Sequence, residues 1–363
     1  MQYKPLLVAI QVQNYGNAAA HFHHDLCSKV CGSESILYFN KSPLLPVNVF
    51  LYLLRRLGPL NDKTVCISLI CDFGLLQAVF CLLLLRLFTA TGQISFHTTY
   101  YHHVIPLRIL LKSSFRLNEL YKLFSCILFR GISNLLPSLS NLFFVITVSP
   151  NSKSHILEYT GLSKSNIFCL YNPQFSAVSF NSCTDVTSLP VKSNKILVVS
   201  NLQARKNPGL IFDLLKRYSC YIKIVVPSKK ITPNLKKLTS ASNSLCSNLS
   251  SIALRELYRS SSYVVVPSFF EGLSLVPLEA ISNSAIVVLS DIPVHRLLCL
   301  PDIQYFDPHS FESLSKTISD LDNLPFASLL SNQAEAVSRV LPSIQRSMNT
   351  EFELFLRSFY YES

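Results

Sequence analysis

The chain has 363 residues, the size of two or three ordinary domains, and 49% of them are apolar, enough to fill sizeable cores. Lys and Arg outnumber Asp and Glu by 32 to 21, giving a formal charge of +11 and a pI of about 9.1, although charged residues are only 15% of the chain. A surface of that sign attracts nucleic acid, anionic lipid or an anionic substrate; no Lys/Arg block is interleaved with aromatics and no zinc-finger spacing occurs, so nucleic acid is not expected as a partner.

The predicted elements begin with a strand at 6–12. It follows Met1-Gln-Tyr-Lys-Pro5 directly, so no signal peptide is expected. A loop at 14–17 holds Gly16 and Asn17, and a helix is expected at 18–30. That helix carries His21, His23 and His24 without the i, i+4 spacing of a metal pair. Strands follow at 35–39 and 64–70. The most apolar run, 73–85, is interrupted by Gln77 and closed by Arg86; at about a dozen residues it is too short to cross a bilayer and reads as a buried helix. A fourth strand, 93–96, is expected to end at His97. Ligands of open parallel sheets bind beyond such carboxyl ends, which makes His97 a candidate catalytic residue.

Between His102 and Arg130, the cations Arg108, Lys112, Arg116, Lys122 and Arg130 stand against one acid, Glu119, among leucines, isoleucines and phenylalanines. This composition suits an amphipathic stretch lying on anionic lipid, or else a helix packed on its own domain with a solvated basic edge. Strands at 141–148 and 167–171 flank a helix capped by the Ser-rich segment 149–154. Residues 176–193 are polar and patternless, as in a linker.

Beyond the linker the alternation resumes. Strands are expected at 195–200, 221–226, 263–266 and 285–289, with helices at 209–218, 252–260, near 275–281 and at 310–322, and a closing helical segment at 329–361. Alternating strand and helix in both halves predicts two doubly wound α/β domains with parallel sheets. The 11 cysteines are odd in number, scattered, and never spaced Cys-x-x-Cys, the pattern of reduced thiols in a cytosolic protein. Asp320 and Asp322 fall at a helix end and read as a solvated turn, and no acidic cluster has metal spacing.

Chemistry concentrates in two strand–loop–helix units of the second half. In Ser262-Tyr-Val-Val-Val-Pro-Ser-Phe-Phe-Glu-Gly-Leu-Ser-Leu-Val-Pro-Leu-Glu-Ala-Ile281, a buried strand ends at Pro267 and Ser268. Pro277 is tolerated only in a first helical turn, so the helix starts near Ser274 or Leu275, with Ser274 available as a cap. Free N–H groups there would face the loop and suit a phosphate. Glu279 lies on that first turn and Glu271 on the loop. The second unit, residues 196–211, carries Arg205 and Lys206 between strand and helix; a cation pair before a helix is a phosphate ligand or a solvated pair.

The spacing Glu271 to Glu279, flanked by Pro267, Ser268, Gly272, Leu275, Pro277, Leu278 and Ala280, resembles the donor-binding signature of retaining glycosyltransferases of the GT-B fold, family 4 (group 1). Lys206 matches the family's diphosphate lysine. Asn201 stands in place of its arginine, with Arg205 as a substitute, and Ser274 replaces a second glycine. Thr98 stands where the family usually has aspartate after the histidine. The resemblance implies a GT-B architecture of two Rossmann-like domains around a cleft. Its expected divisions are an acceptor-binding domain at 1–175, a linker at 176–193, a nucleotide-sugar domain at 194–330 and C-terminal helices at 331–363 that cross back.

It also implies a retaining, hexosyltransferase-type enzyme acting without a metal or other cofactor. A sugar would move from a nucleoside-diphosphate donor to a glycan or lipid-linked acceptor, in cell-surface polysaccharide or lipopolysaccharide synthesis. His97, Glu271 and Lys206 would be catalytic. Asn201, Arg205, Lys206, Gly272, Leu273, Ser274, Leu275, Val276 and Glu279 would bind the donor, with Glu279 on the ribose. Gly16 and Asn17 would lie on the acceptor side. The expected location is cytoplasmic, with 102–130 as a candidate contact for anionic lipid at the inner face of the plasma membrane. Two alternatives use the same architecture: a non-catalytic glycan-binding or partner subunit, and a nucleotide-sugar epimerase.

Overall fold

A computed structural model describes residues 143–170, 194–218, 221–239 and 245–360, the backbones of four earlier strands, and helical residues at 124, 127–128, 130–131 and 134. The chain divides into two compact units. The first comprises residues 1–110, 115–173 and 346–363, and the second comprises 111–114 and 174–345. The expected loop at 14–17 with Gly16 and Asn17, the helices at 18–30 and 73–85, and the linker 176–193 lie outside the described residues.

In the first unit six strands form one sheet: β1 (Leu6–Val12), β2 (Ile36–Phe39), β3 (Val65–Ile70), β4 (Ile94–Thr99), β5 (Phe143–Thr147) and β6 (Ile167–Cys169). Their order is β2-β1-β3-β4-β5-β6, and every pairing is parallel. β4 corrects one expectation: it continues through Thr98 and Thr99, so His97 lies within the strand, in register with Ser68 and Phe144, and not at its end. Two β-branched threonines extend a strand readily. Helix α1 (Pro150–Thr160) opens on Ser149, whose hydroxyl accepts from Ser152 N at 3.2 Å, and ends at Gly161 in the left-handed conformation.

The second unit repeats the design. Its strands are β7 (Asn194–Val199), β8 (Ile222–Val225), β9 (Leu245–Cys246), β10 (Ser261–Val266), β11 (Ile286–Ser290) and β12 (Tyr305–Phe306). All are parallel, in the order β12-β11-β10-β7-β8-β9. β11 is buried at every position, as a strand covered on both faces must be, and this explains its apolar run from Ile286 to Leu289. The helices are α2 (Pro208–Arg217), α3 (Pro233–Thr239), α4 (Ser251–Ser260), α5 (Val276–Ser282), α6 (Pro293–Arg296) and α7 (Phe311–Asp322). Leu210, Ile211, Leu214 and Leu215 of α2 pack with Ile196, Val198, Ile224 and Val265 of the sheet and Leu314, Ile318 and Leu321 of α7.

Helix α8 (Phe326–Tyr360) closes the chain. In the second unit its buried Gln333 bridges three strand-end groups. The side-chain oxygen accepts from Val287 N at 2.9 Å and from Gln304 Nε2 at 2.8 Å, and the nitrogen donates to Ala285 O at 2.9 Å. In the first unit Glu351 accepts from Lys153 Nζ at 3.0 Å and from Cys169 N at 3.1 Å. Asp322, expected to be merely solvated, accepts from Lys195 at 2.6 Å and from the Tyr263 hydroxyl at 2.8 Å, tying α7 to β7 and β10.

Candidate functional site

At the carboxyl ends of β7 and β10 two loops are sewn together. After β7 the chain turns tightly. Ser200 Oγ accepts from Leu202 N at 3.1 Å, Asn201 Oδ1 accepts from Gln203 N at 3.2 Å, and Leu202 and Asn207 both have positive φ. A single 3₁₀ turn, Ala204–Lys206, then carries both cations. Asn207 caps α2 through its side-chain oxygen and donates its amide to Pro308 O at 2.7 Å. The Arg205 carbonyl accepts from Phe269 N at 2.8 Å, which joins this loop to the one following β10.

Glu271 sits where the loops meet, 3% exposed. Arg205 Nη1 donates to one of its oxygens at 2.6 Å; Lys206 Nζ donates to the other, as does Ser268 Oγ at 2.7 Å. Burial by itself would push the Glu271 carboxyl up. The charges of Lys206 and Arg205, with the bonds from Lys206 and Ser268, outweigh it and hold the group ionised, far below the usual carboxylate range. Burial lowers the Lys206 ammonium, and Arg205 adds to that, while Glu271 opposes it. Two cations on one carboxylate leave one net positive charge in a largely desolvated place. Such a charge is stabilised by a further anion.

A second layer fixes this cluster. Ser290, at the end of β11, donates its hydroxyl to Ser268 O at 2.6 Å. His295 on α6 is 1% exposed, and its Nδ1 lies 2.9 Å from Ser290 O. Burial is the main reason its pKa falls to about 4, so the ring is neutral near pH 7 and Nδ1–H donates to Ser290 O. His295 Nε2 and Ser274 Oγ are both buried without a partner among the described residues.

The structure therefore brings Arg205, Lys206 and Glu271 together and places Gly272, Leu273, Ser274 and Leu275 in the loop that follows, with Val276 as the first residue of α5. Ser274 does not cap α5: the seven-residue helix starts at Val276, and Leu275 takes the cap position with no side-chain bond. Pro277 in the first turn sets that start one residue too late for Ser274 to reach the helical N–H groups. Glu279, in the same turn, accepts from the Tyr258 hydroxyl of α4 at 2.7 Å. Asn201 spends its side-chain oxygen inside its own loop. His97 belongs to the sheet of the first unit, and Gly16 and Asn17 fall outside the described residues.

Ser290, His295 and Tyr258 were not singled out from the sequence, and Ser268 was named only as a flanking residue of the glutamate motif. Ser290 ends a buried, mostly apolar strand and His295 lies in the proline-opened turn beyond it, the kind of carboxyl-end positions that could have flagged them. Tyr258 lies on an amphipathic helix, where an aromatic residue reads as core. Among the described residues no group of three or more His, Cys, Asp or Glu has the geometry to hold a metal ion.

Residues 184–336, which contain this whole site, match the family model described as glycosyl transferases group 1. A stretch of 74 residues is 32% identical to the O-antigen chain mannosyltransferase RfbU of Salmonella typhimurium; it spans about a fifth of each protein, 20% of this chain and 21% of that one. Among solved structures, Anabaena Alr3699/HepE in complex with UDP and glucose superposes with a TM-score of 0.63 at 12% identity, over 96% of this chain and 99% of that one. A glycosyltransferase from Rickettsia africae ESF-5 gives 0.60 at 14% identity, over 98% and 99%. An E. coli structure described as trehalose-6-phosphate bound with UDP-2-fluoro glucose gives 0.61 at 13% identity, over 98% and 99%. Likeness at such low identity is likeness of fold. The chain thus has the GT-B fold, and its residues 184–336 match the glycosyl transferases group 1 model.

Proposed function

We propose that the protein is a glycosyltransferase that moves a sugar from a nucleoside-diphosphate donor to a glycan or lipid-linked acceptor, with retention of anomeric configuration, in cell-surface polysaccharide or lipopolysaccharide synthesis. The observation that carries this reading is the pairing of Arg205 and Lys206 on the single carboxylate of Glu271. Their surplus positive charge suits a diphosphate, and the group 1 match over the same residues supports that ligand. The RfbU stretch supports the surface-polysaccharide setting.

In this reading the bond from the sugar C1 to the distal phosphate oxygen breaks, and the nucleoside diphosphate leaves with the electron pair. Arg205 and Lys206 face the charge that develops on it, so no metal is required for that step. The acceptor hydroxyl forms the new bond to C1 on the same face and gives its proton to the departing phosphate oxygen. Glu271 orients the cations. Three of its roughly four lone-pair sites are filled, which leaves one to accept from a sugar hydroxyl. Glu279 takes the ribose hydroxyls, His97 reaches the reacting sugar, and Gly16 and Asn17 act on the acceptor side.

The protein is cytoplasmic in this proposal and touches the inner membrane surface through 102–130. Phe124, Ile127 and Leu128 support this contact: they are 60%, 53% and 41% exposed at i, i+3, i+4 spacing, next to the exposed helical Arg130. No described helix is long and apolar enough to cross a membrane.

The test is donor turnover. Purified protein is incubated with UDP-, GDP- and ADP-sugars, with and without a glycolipid acceptor fraction, and diphosphate release is followed. Release that depends on acceptor, with an anomerically retained product by NMR, is expected. Acceptor-independent sugar interconversion would favour the epimerase. Donor binding without any product, or none at all, would favour a non-catalytic subunit.

A further inference from the structure

We infer that Tyr258 is a positioning residue for Glu279: its buried hydroxyl fixes one carboxylate oxygen and leaves the other for the ribose diol of the donor. The inference rests on the reading of Glu279 as the ribose ligand. The Tyr258 hydroxyl donates to Glu279 Oε2 at 2.7 Å, from a ring that is 2% exposed, whereas Glu279 is only half-buried. No other hydrogen bond or ion pair to the Glu279 carboxylate occurs among the described residues.

The two acidic residues of the motif are therefore held differently. Glu271 is gripped by two cations and a serine, and Glu279 by one neutral donor on a neighbouring helix. Burial, and after it the Glu279 charge, pushes the Tyr258 phenol well above its ordinary range, so it stays a donor throughout the working pH range. A glutamate side chain has several free torsions, and a ligand that must order them binds more weakly. Tyr258 orders Glu279 before the donor arrives. Because the bond reaches a single oxygen, the Oε1 edge keeps its acceptor sites for two vicinal hydroxyls.

The experiment is calorimetric titration of UDP, GDP and ADP, and of their 2′,3′-dideoxy counterparts, into the full chain as wild type, Tyr258→Phe, Glu279→Ala and the double variant. Tyr258→Phe should weaken the best ribonucleotide roughly three- to tenfold, the worth of one hydrogen bond. It should leave the dideoxy nucleotide unchanged, and add nothing once Glu279 is alanine. Wild-type affinity in Tyr258→Phe alongside a weakened Glu279→Ala would overturn the positioning role and spare the ribose reading. Equal weakening of ribo and dideoxy forms, or failure of Tyr258→Phe to fold, would make the hydroxyl a structural group and overturn it as well. If no nucleotide binds the wild type, the donor-site reading itself fails.

Discussion

Lys206 and Glu271 lie 65 residues apart in sequence and share one buried ion pair, with Arg205 completing the cluster from the adjacent position. Each comes from a loop at the carboxyl end of a strand, β7 for the cations and β10 for the carboxylate, and those strands are neighbours in the sheet. The sheet order thus converts two separate sequence motifs into one charged site.

Removing the carboxylate should expose how much the cluster depends on it. Glu271→Ala leaves two cations facing each other with little water, which should cost about 3 kcal/mol of stability. Thermal melts should show the loss, and a nucleoside diphosphate should restore part of it by replacing the missing negative charge. An unchanged melting temperature would mean that the cations relax into solvent and that Glu271 does not organise them.

The neutral, buried His295 gives a pH signature. Its pKa is near 4 when folded, against 6.5 as the ordinary value, so between those limits the unfolded chain binds the extra proton. Its contribution is fully present above about pH 6.5 and is lost as pH falls towards 4, amounting to about 3 kcal/mol over that span. Urea unfolding at pH 7 and pH 5 should show the decline in wild type, and His295→Phe should flatten it. Parallel pH profiles for the two proteins would place the acid sensitivity elsewhere.

Strand and helix positions in the second unit were legible because β7, β10 and β11 are runs of β-branched residues bounded by proline, serine or asparagine. Pro277 marked the start of α5 to within two residues. The end of β4 was not legible: Thr98 and Thr99 read as loop after His97, yet pairing with β3 and β5 draws them into the sheet. The site was only half visible. The cations and both glutamates announced themselves through spacing, but local pattern cannot say that Arg205 and Lys206 close onto Glu271, since that depends on β7 lying beside β10. Tyr258, Ser290 and His295 act from behind the site, where polar groups are chosen to satisfy one another and leave no periodic trace.

The exposed face of Phe124, Ile127 and Leu128 predicts a membrane effect separable from catalysis. Replacing all three with serine should reduce co-sedimentation with vesicles containing anionic phospholipid by roughly tenfold, since each removes buried apolar area. Arg108, Lys112 and Arg116 changed to glutamine should weaken that binding and reduce its salt sensitivity. Equal binding to neutral vesicles, indifferent to salt, would contradict it.

The central claim is that Arg205 and Lys206 hold the diphosphate of a nucleotide-sugar donor, and its most direct measurement is donor turnover in Lys206→Ala compared with wild type. Arg205 still pairs with Glu271 in that variant, so the fold should persist by circular dichroism. Turnover should fall by on the order of a hundredfold, because a charge-assisted contact to the leaving group strengthens as charge develops. A folded Lys206→Ala protein with wild-type turnover would contradict the account.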